Sequence, residues 1–343
     1  METLHQWDTI YSADSVEWCP IAPHQNIFVC GTYQLAEHES QQDAYKRLGR
    51  LYLFKFNITE DLKLVQTIDM PAILDMKWCQ RIVNGNILLA IANATGSIDI
   101  FKLDSDECSL SLLCSGSVAE TNVETLALSL DWSEGRENPV CNPSIVVSNS
   151  KGCIALLKLD GTSLVLSEHW KAHDFEAWIA AFDYWNTCIV YSGGDDCKLK
   201  VNDTRVGSHI QSCTHDAGVT SLHTNVMREH VLASGSYDEQ LRIWDTRSMK
   251  RAVNVIRLTG GVWRLKWDPH KWEHLLASCM HGGFCIVNTS DESPKIVAQY
   301  EEHKSLAYGS DWCHLKGEQR FIATCSFYDH KLCLSAIKNN CLD

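Results

Sequence analysis

His230-Val231-Leu232-Ala233-Ser234-Gly235-Ser236-Tyr237-Asp238, continuing to Leu241-Arg242-Ile243-Trp244-Asp245, reads as an apolar strand, a tight polar turn and a second apolar strand. Apolar runs of this length on either side of a Gly/Ser/Asp turn form a β-hairpin, not a helix. The pattern returns at Ile27 to Phe56, Ile87 to Leu103, Ile145 to Leu159, Cys188 to Arg205, Leu275 to Thr289 and Phe321 to Ile337. Ahead of each copy stands a shorter alternating run closed by an aromatic: Val16-Glu17-Trp18, Met76-Lys77-Trp78, Leu130-Asp131-Trp132, Ala180-Ala181-Phe182, Leu265-Lys266-Trp267 and Ser310-Asp311-Trp312. Leu222-His223-Thr224 fills the remaining slot without its ring. The copies recur at roughly 42 to 60 residues, the interval of a four-stranded unit repeated around an axis.

Both markers count seven, so the chain is expected to be all-β: a seven-bladed WD40-type β-propeller occupying residues 1–343 as one domain. The blade that contains the quoted stretch carries His215, Ser234, Asp238 and Trp244 at the spacing of the structural hydrogen-bond network that ties such a blade together. The preceding blade keeps His173, Ser192 and Asp196 but has Asn202 where the Trp belongs. In the first three blades the assignment rests on periodicity. Too few residues follow Ile337 for an outer strand, so Leu4–Ile10 is expected to complete the last blade and clasp the ring. Residues 35–48, rich in Glu, Gln and His, read as a solvated loop inserted between two strands of the first blade.

Composition narrows the function classes. Of 343 residues, 45% are hydrophobic and 21% charged, which suits a sizeable core. Lys and Arg number 30 against 43 Asp and Glu, for a formal charge of -13. That lacks the basic footprint of a nucleic-acid binder and leaves basic protein surfaces as the partners such a field attracts. There are 16 cysteines, but the start Met1-Glu2-Thr3-Leu4-His5-Gln6-Trp7-Asp8 has no basic stretch followed by an apolar run. Cys30, Cys153, Cys279 and Cys325 fall inside apolar strand patterns, where Cys behaves as a small hydrophobe. Reduced thiols and a cytoplasmic monomer, with room for a nuclear pool, are the expectation. No apolar run approaches the roughly 20 residues that span a bilayer, so no membrane partner is expected.

Familiar catalytic motifs are missing: no Gly-x-Ser-x-Gly elbow, no Walker loop, no zinc-binding helix or Cys-x-x-Cys pair, and hence no metal or cofactor is expected. Aligned repeats put Trp178, Trp263 and Tyr308 at one equivalent position, just inside the innermost strand, with Ile179 and Arg264 at the next. Asp195, Tyr237 and His281 share a turn position that opens on the same rim. Two roles fit the aromatics: filling of a narrow channel, or a cage for a quaternary ammonium group. Two also fit His281, a satisfied structural imidazole or a general base.

More specific segments surround these positions: Glu176-Ala177-Trp178-Ile179, Gly193-Gly194-Asp195-Asp196, Gly260-Gly261-Val262-Trp263-Arg264, Cys279-Met280-His281-Gly282-Gly283 and Tyr308-Gly309-Ser310-Asp311-Trp312. Together they resemble the diphthine methyl ester hydrolase family, WD-repeat proteins of diphthamide biosynthesis, closely over residues 165–315 and more loosely before. The resemblance implies hydrolysis of the methyl ester of a methylated diphthine on translation elongation factor 2, an intermediate that also carries a trimethylammonium group. On that reading Trp178, Trp263, Tyr308 and Tyr237 hold the substrate. His281, oriented by Asp195 or Glu176, activates water, and Arg264 stabilises the oxyanion. Ser310 and Cys279 are alternative nucleophiles, Cys279 also reading as a core thiol. A scaffold that docks proteins without chemistry is the competing function.

Overall fold

A computed structural model describes residues 1–36, 46–118, 124–133, 142–291, 293–338 and 342. Its strands form seven four-stranded antiparallel sheets, numbered here as blades 1 to 7 along the chain. The innermost strands are Ser12–Trp18, Ile73–Trp78, Ala127–Trp132, Ala177–Phe182, Val219–Thr224, Arg264–Trp267 and Ala307–Trp312. Blade 7 is completed by the N-terminal strand Glu2–Asp8, paired antiparallel with Lys331–Lys338. The clasp therefore ends two residues before the expected Ile10, which takes a positive φ of 65° in the turn that follows. The insertion expected at 35–48 is also shorter than its composition suggested. Gln34 pairs with Leu48 and Leu35 with Arg47, because the backbone ladder runs on past the last buried side chain. Residues 37–45 lie outside the described residues.

The recurring aromatic has a specific task. Trp18, Trp78, Trp132 and Trp312 are among the largest fully buried side chains, and in four blades the indole N–H reaches back to the preceding blade. Trp78 donates to the Glu17 carbonyl at 3.2 Å, Trp132 to Lys77 at 2.9 Å, Trp267 to His223 at 3.0 Å and Trp312 to Lys266 at 3.0 Å. Blade 5 has no ring there. The Thr224 hydroxyl supplies the donor instead, to the Phe182 carbonyl at 2.9 Å. Each of these four indole donors thus buries a large apolar area and satisfies an interblade acceptor, whereas the buried indole N–H of Trp18 has no partner.

Channel-facing side chains add a second set of interblade ties by accepting a backbone N–H of the next blade. Asp75 accepts Leu130 at 3.0 Å, Asp131 accepts Phe182 at 2.9 Å and Asp311 accepts Trp18 at 2.7 Å. These carboxylates are structural despite their burial.

The network read from the sequence is present in part in blade 5. Three of its four members are joined: Ser234 Oγ lies 2.9 Å from His215 Nε2 and accepts the Trp244 indole N–H at 2.8 Å, whereas Asp238 pairs with Arg242 at 2.8 Å and leaves His215 Nδ1 buried without a hydrogen-bond partner. Burial lowers the His215 imidazole to about 4, so it is neutral. Blade 4 has His173 between Asp196 at 2.8 Å and Ser192 at 2.9 Å. Blade 7 holds a further version that the sequence reading missed: His303 bonds Ser326 at 2.6 Å and Thr324 at 2.9 Å. Its signal was available, since His303 precedes its blade as His173 and His215 precede theirs. Trp244→Phe should destabilise the ring by about 1 kcal/mol, the net worth of one buried hydrogen bond, read as a lower urea midpoint at unchanged slope.

Candidate functional site

Six of the seven innermost strands begin with a break in register, between Ala13/Ser15, Ile73/Asp75, Ala127/Ser129, Ala177/Ile179, Val219/Ser221 and Ala307/Ser310. A bulge turns its extra residue out of the ladder and re-aims the side chain. The residues so placed stand four positions before each blade's closing residue: Asp14, Leu74, Leu128, Trp178, Thr220 and Tyr308, with Trp263 at the matching position of blade 6. The equivalence read for Trp178, Trp263 and Tyr308 thus has a backbone cause.

These three side chains meet, and Tyr237 joins them. Trp263 stacks on Tyr308 with ring centroids 4.7 Å apart and contacts Trp178 edge-on at 5.8 Å and Tyr237 at 6.2 Å. Trp178 and Tyr237 are 6.4 Å apart. The sequence reading missed the extension of this arc: Phe327 packs against Tyr308 at 5.0 Å and Tyr33 at 6.0 Å. Phe327 sits in the blade 7 turn that corresponds to the turn holding Tyr237, so repeat alignment could have found it. The four central rings are half-buried, and the Trp263 indole nitrogen is buried without a hydrogen-bond partner.

Two acids flank the arc. Asp195 Oδ1 accepts the Trp178 indole N–H at 3.1 Å. The same oxygen would stand 2.9 Å from a Cβ on Gly218, and Tyr237 Cδ2 would stand 3.1 Å from it, so glycine permits this approach. Burial raises the Tyr237 phenol above its ordinary range, and the charges of Asp195 and Glu176 raise it further.

Asp14, which the sequence reading also missed, occupies the mouth position of blade 1. It is 5% exposed, its Oδ1 has no partner, and burial pushes its carboxyl up to about 8 against the opposing charge of Arg264. Asp14 acts in turn on Tyr308, whose phenol is raised chiefly by burial.

The remaining expected catalytic residues are not assembled. His281 is exposed and lines a separate recess of about 550 Å³ with Thr259, Glu301, His303 and Lys304. Among the described residues it makes no ring contact with the arc and has no hydrogen-bond partner. The strand register explains this: Leu265 pairs with Ala277 and Ser278 with Phe284 as Leu222 pairs with Ser234 and Gly235 with Leu241. The turn position shared by Asp195 and Tyr237 therefore belongs in blade 6 to Met280, which bridges to Ala307, and His281 stands one residue beyond it. Asp195 is committed to Trp178, and Glu176 faces Tyr237, so neither orients His281. Arg264 lies one step below the mouth, 7% exposed, with Nη2 3.3 Å from Asp75 Oδ1. Its charge is answered across the channel and is not held ready for an oxyanion. Ser310 is bonded to Ser278 at 2.8 Å in the core, and Cys279 is a buried thiol 3.7 Å from Cys285. Neither is a nucleophile open to substrate.

The opposite end of the channel is nearly filled. Lys77 lies 3.3 Å from Asp131, Lys266 pairs with Glu17, and the tryptophans around them leave a void of only about 50 Å³.

No protein-family model matches the chain. It is 44% identical over 337 residues to the mouse (Mus musculus) protein named diphthine methyltransferase, covering 92% of this chain and 70% of that protein. The human protein of that name is 42% identical, at 91% and 75% coverage. A Dictyostelium discoideum homolog is 38% identical, at 95% and 96%. In fold, a chain of the mitotic checkpoint complex superposes with a TM-score of 0.73 over 98% of this chain and 92% of its own, at 15% identity. The relatives agree with the resemblance in its diphthine chemistry and overturn it in the reaction. They are named for transferring a methyl group, not for hydrolysing an ester, so the hydrolase activity does not stand, nor do the water-activating and oxyanion roles that it gave His281, Asp195, Glu176 and Arg264.

Proposed function

This chain belongs to the diphthine methyltransferase family, and from that membership we propose that it acts in the methylation of diphthine on translation elongation factor 2, holding the modified residue at the aromatic mouth of the propeller. One observation carries the reading: Trp178, Tyr237, Trp263 and Tyr308, brought from blades 4 to 7, touch in a single arc beside two acidic side chains. A fully methylated ammonium has no N–H to donate. It is held best by the negative faces of aromatic rings, with carboxylates nearby for counter-charge. Asp195 and Glu176 supply that charge.

The partnerless N–H of Trp263 suits the other end of such a substrate, a carboxylate or carbonyl oxygen. Asp14, protonated near neutral pH, is a second donor at the same mouth. These side chains bind and orient the acceptor. All of them come from one chain, which supports a monomer, and elongation factor 2 as the proposed partner supports a cytoplasmic location.

Elongation factor 2 carrying diphthine should bind at least tenfold more tightly than the factor with its unmodified histidine, measured by calorimetry. Omission of this protein from a reconstituted methylation of diphthine should abolish the methyl gain seen by mass spectrometry. Equal affinity for both forms, with no effect on methylation, would leave a propeller that docks proteins without chemistry.

A further inference from the structure

Blade 4 departs from blade 5 at one position in an otherwise matched frame. The same interval separates His173 from His215, Ser192 from Ser234, Asp196 from Asp238 and Asn202 from Trp244. The ladders agree: Val190 pairs with Asn202 as Leu232 pairs with Trp244. In blade 5 the indole fills its space and donates to Ser234. In blade 4 a short amide stands there instead, and the space opens outward. A groove of about 520 Å³ lies between the outer strand of blade 3, Ser163–Lys171, and the outer half of blade 4, with Trp170, Lys200, Asn202 and His209 among its walls.

Two of those walls carry unanswered polar groups. Asn202 is 5% exposed, yet its amide nitrogen has no hydrogen-bond partner. The Trp170 indole nitrogen is likewise buried and unpartnered. Both are donors, and each orphaned donor costs about 1–3 kcal/mol until an acceptor arrives. Charge around the groove favours an anion. Lys171 and Lys200 stand at its edge, turned onto the backbone carbonyls of Lys151 and Ala172; Lys200 also lies 3.9 Å from Asp196, which leaves Lys171 as the cation without a carboxylate partner among the described residues. The nearby Asp203 is clamped by its neighbour Arg205 at 2.5 Å and 2.9 Å. Of the acids lining the groove, Glu168 is left without such a clamp. A space vacated by an aromatic ring in an apolar wall takes up a ring of that size.

We propose that this groove between blades 3 and 4 is a binding site for a small planar aromatic carboxylate. The ring occupies the place of the missing indole, and the carboxylate accepts from Asn202 Nδ2 and Trp170 Nε1. The site is separate from the aromatic mouth and independent of what binds there.

Indole-3-acetate is the probe, with indole and acetate as controls lacking the charge and the ring. Calorimetry should show saturable one-to-one binding of indole-3-acetate, at least tenfold tighter than either control. Asn202→Trp supplies the ring that blade 5 already accommodates, so the variant should fold, melt no lower than the parent, and lose the site by at least tenfold. Trp170→Phe keeps the apolar wall and removes one donor, so it should weaken indole-3-acetate several-fold and leave indole unchanged. No binding by the parent protein, or binding that survives Asn202→Trp unchanged, overturns the proposal and leaves solvent as the groove's occupant.

Discussion

Trp263→Ala should raise the Kd for diphthine-bearing elongation factor 2 by about 10- to 100-fold, or roughly 1.4–2.7 kcal/mol. Of the four central rings, Trp263 is the one that contacts all the others, Tyr308 at 4.7 Å, Trp178 at 5.8 Å and Tyr237 at 6.2 Å. Truncation removes its own face from the cation and the partition that separates its neighbours, and it deletes the unpartnered indole N–H. Trp263→Phe keeps a smaller face without the N–H and should fall between. His281→Ala, altered in a recess apart from the arc, should leave the affinity within twofold. Calorimetric titration of the three variants tests the assignment. Equal loss from His281→Ala and Trp263→Ala would return the imidazole to the site, and no loss from Trp263→Ala would make the indole mere filling.

Asp14→Asn should stabilise the protein at neutral and alkaline pH while doing little below pH 4. The Asp14 carboxyl is raised from 3.8 to about 8, with burial as the main cause and Asp75 adding to it while Arg264 opposes. The unfolded chain therefore releases this proton near pH 4 and the folded protein only near pH 8. Across that window the unfolded state binds fewer protons, so stability falls as pH rises and levels off above pH 8. Asparagine has no proton to lose and is spared the decline, a difference of at most about 6 kcal/mol above pH 8 at roughly 1.36 kcal/mol per pKa unit. Glu17 is also raised by burial, against its Lys266 partner, and adds a decline of the same sign to both proteins. The informative quantity is the gap between parent and variant in urea melts at pH 4, 6 and 8. A gap that does not widen with pH removes Asp14 from the set of buried, protonated carboxyls. Since Asp14 sits at the mouth, the variant should also flatten any change in substrate affinity between pH 7 and 9.

The propeller was legible because its signals are local. Strand alternation and the recurring ring at Trp18, Trp78, Trp132, Trp267 and Trp312 report which face of each inner strand is buried, and seven such reports close a circle. The blade 5 network was legible for the same reason, since His215, Ser234 and Trp244 hold a fixed spacing within one blade. Trp178, Trp263 and Tyr308 were legible as a set because a repeat gives equal positions equal places.

The sequence by itself therefore determined the strands, the repeat number and the family, but not the reaction, which the relatives' names correct. Only the tertiary structure decided which side chains face one another. The bulges at the starts of the inner strands turn Asp14 and Tyr308 toward the same mouth, although they are nearly a whole chain apart. One turn aims Tyr237 into the arc, while the equivalent turn of the next blade has Met280 at that place and His281 one residue on, in a different recess. Arg264 looks free in the sequence and is paired with Asp75 across the channel. Periodicity fixes the face on which a residue lies, but contact across a closed ring depends on bulges, turn paths and partners in other blades, none of which leaves a local trace.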